Sequence, residues 1–343
     1  MGERVLTRRE LNRALLARQL LLERRSLSLP KAAEQVGCVQ TQYAPSAYIG
    51  LWTRLEGLER DALTHALERR SLIEATLMRN TIHIVSRRDY WPLIIAVRSE
   101  RKAWSRRAQR SDERRLRRAA ERLRAFLADG PRRQSEIAAL RPEVWLPGVG
   151  IWVDLVRVPP SGTWERRRAD LFGLAEQWLG PPPPISEEEA REHLVGRYLG
   201  SFGPASRKDL AGWAGVRVGA LDGELQRMKL RRFRDEAGRE LLDVPRGPLP
   251  SAETPAPGRF LPTWDATLLV HARRTGILPE RYRERIFHIK NPQSESTFLV
   301  DGVVAGTWRY ERGRVGLEPF ARLPREARAE LEEEGERLAA FHA

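Results

Sequence analysis

Apolar residues recur at a mostly helical spacing at Leu11, Leu15, Leu16, Leu20 and Leu22, behind Thr7 with Glu10 three residues on. That pairing is a capping box, so the first helix is predicted to open at Thr7. A second short helix is predicted over residues 30–36, ending at Gly37, which supplies a left-handed cap. Residues 38–43 are too short and mixed to assign, and residues 57–69 read as helical again. Residues 72–86, LIEATLMRNTIHIVS, then alternate apolar and polar around a turn at Arg79-Asn80, which is the pattern of a β-hairpin. Three helical segments closed by a hairpin is the order of a winged helix.

The order returns twice. A charged amphipathic helix at 113–128 stops at Asp129-Gly130-Pro131, and short helical pieces follow at 134–140 and 146–155. Residues 156–171 form two short strands around Pro159-Pro160-Ser161-Gly162. The tetraproline at 181–184 cannot be helical and marks a linker. The third round has helices near 186–198, from Ser206, and at 218–228, then strands at 230–233 and 240–244. A proline-rich connector covers 245–257. Beyond it, 260–269, 297–304 and 306–312 read as strands, with Asp301-Gly302 as a turn that favours positive φ, and a last amphipathic helix covers 325–341. The expectation is a mainly helical α+β chain of three tandem winged-helix motifs with a C-terminal β-rich segment and terminal helix. The units are placed at residues 1–100, 101–180, 185–247 and 258–343.

Charge narrows the partners. The chain carries a formal +14, and only five of its 60 basic residues are lysine. A basic surface of this size points first to nucleic acid, and arginine suits bidentate contacts to phosphate and base edges, although a GC-rich genome produces the same bias. One cysteine, Cys38, excludes an intrachain disulfide framework and a cysteine-rich zinc site. No apolar run reaches the length of a membrane span, and the first residues lack a signal-peptide core, so a cytoplasmic, nucleoid-associated protein is expected.

Standard catalytic equipment is missing from the sequence. The histidines, His65, His83, His193, His271, His288 and His342, lack metal-ligand spacing, and there is no HExxH, phosphate loop or nucleophile elbow. No metal and no cofactor are expected. The unusual feature is Gln40-Thr41-Gln42 after a predicted helix end. In extended backbone, residues two apart project to one side, so two amides can converge on one small target. The alternative is two surface glutamines at a helix end.

Residues 38–55, CVQTQYAPSAYIGLWTRL, resemble the signature of the winged-helix DNA glycosylases, the AlkZ and YcaQ-like proteins. Further matches follow in order at 77–90 (LMRNTIHIVSRRDY), 259–274 (RFLPTWDATLLVHARR) and 297–309 (TFLVDGVVAGTWR), so the likeness spans nearly the whole chain. Gln-x-Gln is the mark of the AlkZ-like branch, where YcaQ-like proteins carry Gln-x-Asp; Thr41 departs from the usual aliphatic middle residue. The resemblance implies catalysis by Gln40 and Gln42, and DNA contacts from Arg79, Asn80 and His83 on the first wing. It also implies contacts from the cluster His271, Arg273 and Arg274, and from the Asp301-Gly302 hairpin tip as a groove probe. His83 reads equally as a support for its hairpin, and Asp265 as a local brace rather than a base. The arginine runs 106–107, 114–115, 117–118 and 166–168 add salt-sensitive backbone affinity or simply face solvent.

The implied activity is a monofunctional, metal-free glycosylase on double-stranded DNA with N7- or N3-alkylated purines, as monoadducts or interstrand cross-links, acting as a monomer without lyase activity. Whether the nucleotide is fully extruded stays open. The alternative from another class is a non-enzymatic winged-helix regulator, which would normally dimerise on a palindrome.

Overall fold

The computed structural model describes residues 3–141, 144–269, 276–288 and 293–343. The chain begins with β1 (Val5–Leu6), α1 (Arg8–Arg18), α2 (Leu29–Gln35), β2 (Val39–Gln40), α3 (Ala44–Trp52), α4 (Arg60–Glu68), β3 (Leu72–Thr76) and β4 (Ile82–Ser86). Thr7 caps α1 through the expected capping box, and Gly37 turns left-handed beyond α2. Helix α3 has no periodic signature because every one of its residues is buried. An all-round apolar segment cannot be told from a buried strand by pattern.

The second part holds α5 (Arg87–Gln109), α6 (Glu113–Leu127), β5 (Arg132–Arg133), α7 (Gln134–Ala138), α8 (Leu146–Val149), β6 (Leu155–Arg157), β7 (Leu171–Leu174) and α9 (Ala175–Leu179). Ser86 caps α5 through the Asp89 amide, and Pro92 lies inside the helix, where it leaves the Arg88 carbonyl without its helical donor. The expected unit boundary at residue 100 falls inside this continuous helix. The first two hairpins also merge, in the order β2-β4-β3-β6-β7-β5, so their strands share one sheet.

The third part comprises α10 (Glu187–Phe202), α11 (Arg207–Ala214), α12 (Asp222–Arg227), β8 (Arg231–Asp235) and β9 (Glu240–Asp243). β1 pairs parallel to β8, which draws the start of the chain into the third sheet. The C-terminal part runs through β10 (Arg259–Leu261), α13 (Ala266–Leu269), α14 (Arg283–Ile286), β11 (Phe287–His288), β12 (Gln293–Ser294), β13 (Thr297–Val300), β14 (Val303–Glu311), β15 (Arg314–Pro319) and α15 (Arg325–His342). The strand expected over 260–269 is therefore short. It ends at Leu261, and Asp265 starts a helical turn by accepting from the Thr267 amide and hydroxyl. The fold is mainly helical α+β, with three winged-helix motifs followed by a β-rich segment and a terminal helix.

Helix α1 ties these parts together. Arg18, fully buried, makes a two-pronged ion pair with Asp243 of β9, and Arg54 makes another with Asp265. Removing one partner of such a buried pair strands a charge, so the pairs specify how the parts dock. No helix among the described residues is long and apolar enough to cross a membrane.

Candidate active site

Two successive left-handed residues, Gly37 and Cys38, swing the chain from the end of α2 onto the sheet. A side chain at Gly37 would strike Ser201, so the approach demands glycine for space as well as for φ. β2 then pairs antiparallel with β4, which sets Gln40 opposite His83. The Thr41 amide donates to Ile82, and after this last bond the chain bends at Gln42 and enters α3 through Pro45.

The two glutamines end in different surroundings. Gln40 is 6% exposed, whereas Gln42 is exposed. The strand stops before Gln42, so the two-residue period does not continue through the pair. Gln40 Oε1 accepts from Arg79 Nη2 at 2.5 Å, and Arg79 Nη1 donates to the Trp213 carbonyl at 2.7 Å. A guanidinium only donates, so the oxygen of Gln40 must face Arg79 and its Nε2 the opposite way. Among the described residues nothing accepts from that Nε2. A crevice of about 20 Å³ lies beside Gln40, between the end of α1, α3 and residues 262–266. That volume suits a single water molecule. Asp265 lines it too, but both its oxygens are held by Arg54 and Thr267, which makes it the expected brace.

Arg79 and Asn80 do form the β3–β4 turn, both left-handed, but the turn is not a free tip. Gly215, beyond α11, packs on the Arg79 backbone so closely that a Cβ there would lie 2.7 Å from the Arg79 nitrogen. With both terminal nitrogens bonded inside the protein, Arg79 holds Gln40 rather than reaching for DNA. Asn80 accepts from Arg101 Nε at 2.9 Å. His83 is buried, and its Nδ1 lies 3.0 Å from the Thr81 carbonyl, so Nδ1 carries the proton. Burial, reinforced by Arg79, Arg101 and Arg157, pushes its pKa down to about 3, and the ring stays neutral. This is the histidine that supports its hairpin.

The Asp301-Gly302 turn is likewise docked. Asp301 accepts from Arg9 at 2.8 Å and from the buried Arg13, and the Gly302 carbonyl accepts from Asn12 at 2.8 Å. The tip that sequence offered as a groove probe is packed on α1, with only the Asp301 side chain half-exposed. His271, Arg273 and Arg274 lie outside the described residues.

Beside Gln42 the sequence reading missed a contact between units. Exposed Tyr43 follows Gln42 directly, and its hydroxyl accepts from Arg167 Nη1 at 2.8 Å. Arg166, Arg167 and Arg168 project from the loop joining β6 to β7, which Ser161 ties together: its Oγ donates to the Arg168 carbonyl and accepts from the Asp170 and Leu171 amides. Beneath this loop, Glu74 packs against Gly162, and burial pushes its pKa up to about 8 against the pull of Arg157. Arg101 was also missed. Nothing along the chain distinguishes it from the many arginines on solvated helix faces.

Two neutral amides at a strand end, beside a rim of arginines on winged-helix units, define a protein that acts on nucleic acid. The chain belongs to the AlkZ-like DNA glycosylase family: the family described as DNA glycosylase AlkZ-like matches residues 33–341. It is therefore a DNA glycosylase, an enzyme whose substrate is DNA. Its fold is that of the Streptomyces sahachiroi DNA glycosylase AlkZ, with a TM-score of 0.83 and 18% identity over 98% of this chain and 96% of that one. No curated protein matches the chain.

Proposed function

We propose that this glycosylase hydrolyses the N-glycosidic bond of N7- or N3-alkylated purines in duplex DNA, as a monomer, with Gln40 and Gln42 positioning the attacking water. The observation that carries this reading is the bond from Arg79 to Gln40. It fixes the Gln40 carbonyl on Arg79 and leaves the Gln40 N–H donors without an acceptor among the described residues, in a side chain that lines the crevice, while Gln42 is exposed at the surface.

An N7- or N3-alkylated purine already carries positive charge, so it departs with the C1′–N electron pair as a neutral base. The sugar develops oxocarbenium character. The water oxygen bonds to C1′ and its proton passes to solvent, leaving an abasic site. Such a leaving group needs no general acid, and two neutral amides can orient a water without abstracting its proton. They would be poorly suited to an unactivated base. The same logic extends to bulky adducts and cross-linked purines, whose N7 atoms carry the same charge. A lyase step would need a nucleophilic lysine, and no sequence neighbour of Gln40 supplies one.

The test is incubation of the chain with N7-methylguanine duplex and with an N7-linked interstrand cross-link, scoring free base and abasic sites. The Gln40→Ala/Gln42→Ala double variant is expected to lose release by at least about 100-fold while keeping most of its affinity for DNA. Undiminished release by the double variant would remove both residues from the mechanism.

A further inference from the structure

Arg101 is a buried cation without an anion. Its residue is 6% exposed, and among the described residues no carboxylate lies within ion-pair distance of it. Among the described residues, only Nε of its three guanidinium nitrogens has an acceptor, the Asn80 side chain at 2.9 Å. Neither Nη is sealed from solvent, since neither is among the buried atoms that lack a partner. The carboxylates in its neighbourhood are already held elsewhere: Asp154 pairs with Arg98 at 2.9 Å, and Glu100 with Arg217 at 2.7 Å. A guanidinium this buried, with both terminal nitrogens lacking a protein acceptor among the described residues yet still reached by solvent, is placed to take an anion.

The surroundings say which anion fits. Arg79 and Arg157 raise the local positive potential together with Arg101, and all three add to the burial that keeps His83 uncharged. Trp104, 45% exposed, stands one helical turn further along α5, and exposed Arg217 anchors the segment after α11 to the same helix. A planar fork in a positive recess, flanked by an exposed indole, matches a phosphodiester with its sugar better than a free carboxylate.

We propose that the Arg101 guanidinium, oriented by Asn80, seats one backbone phosphate of the strand that carries the lesion. The seat rests on the DNA-acting reading above and deepens it. Asn80 follows the Arg79 that holds Gln40, so a phosphate on Arg101 would register the strand against the amides through two consecutive residues of one turn.

Binding of the full chain to a duplex with a stable abasic analogue, measured by fluorescence anisotropy across a salt series, tests this. Arg101→Met keeps the length and apolar packing of the side chain. It is expected to reduce the slope of log K against log salt by about 0.9, the signature of one lost phosphate contact. An unchanged slope overturns the proposal. A scan of single methylphosphonates along the lesion strand gives a second reading. One position should weaken the unmodified protein and leave Arg101→Met unaffected, and equal penalties at every position overturn the seat. If Arg101→Met does not fold, Arg101→Lys takes its place, with a reduced penalty expected at that one position and an equal penalty counting against the seat. Base release from N7-methylguanine duplex is scored separately. A chain that shows the slope change but releases no N7-methylguanine refutes the alkylpurine reading and leaves the phosphate seat standing.

Discussion

The β3–β4 turn and the β13–β14 turn have the same local chemistry and opposite employment. Each places two consecutive left-handed residues at its tip, Arg79-Asn80 in the first and Asp301-Gly302 in the second. Each is docked against another part of the molecule, the first on the end of α11 and the second on α1. Around the first turn the charges are nearly all positive, and its side chains hold Gln40 of the candidate site and the buried Arg101. Around the second, Asp301 balances Arg9 and Arg13, and the turn serves as a latch. Turn geometry is written locally, but what a turn does depends on whether the charges around it cancel.

The largest expected effect separates the two roles. Arg79→Ala frees the Gln40 amide to rotate and should slow base release by about 100-fold, roughly 2.7 kcal/mol of transition-state stabilisation. Because both Arg79 terminal nitrogens are bonded internally, the salt dependence of DNA binding should not change. A fall in that slope, with kcat intact, would make Arg79 a phosphate contact and erase the contrast. Next comes Gly302→Ala. The residue has φ +76, and a Cβ would lie 2.5 to 2.8 Å from Leu16, Asn12 and Arg13. A loss of about 2–4 kcal/mol in urea unfolding is expected, with the single-turnover rate of the folded fraction unaltered. A lowered rate would show that the latch also shapes the site.

Asp301→Asn should be milder, below about 1 kcal/mol, since the side chain is half-exposed. Burial works to raise the Asp301 pKa, but the bonds and charges of Arg9 and Arg13 outweigh it and hold the carboxyl below the usual aspartate value. A depressed folded-state pKa contributes stability above the unfolded value, near 3.9, that is lost as pH falls through the folded one. The gap in melting temperature between wild type and Asp301→Asn should therefore close on acidification below about pH 4, and a constant gap would deny the latch its charge. The smallest signal is spectroscopic. With its pKa at about 3, His83 should show no ring titration between pH 5 and 8 by NMR, whereas a midpoint near 6.5 would mean the recess is neither dry nor positive.

Much of the architecture was legible because it is encoded over short distances. The Thr7–Glu10 capping box, the Gly37 cap, the 72–86 hairpin and the Asp301-Gly302 turn involve residues close in sequence, and all are present. Helix α3 was not, since complete burial removes the amphipathic period. The strand expected beyond Leu261 was not either, because a side-chain bond from Asp265 diverts the backbone into a helical turn. At the site, Gln40 and Gln42 were visible as a motif, but the ending of the strand between them was not. Neither was the Tyr43–Arg167 bond, whose partners are far apart in the chain.

By itself the sequence determined the class of fold, the repeated order of helices and hairpins, the excess of positive charge and the glutamine motif, since each follows from composition or from neighbours along the backbone. Only the tertiary structure decided that Gln40 is held by Arg79 while Gln42 is exposed, that both hairpin turns are docked, and that the buried Arg101 has no carboxylate within ion-pair distance among the described residues. Whether a buried arginine is satisfied depends on which oxygen atoms packing brings within about 3 Å, and that is set by distant segments meeting in space.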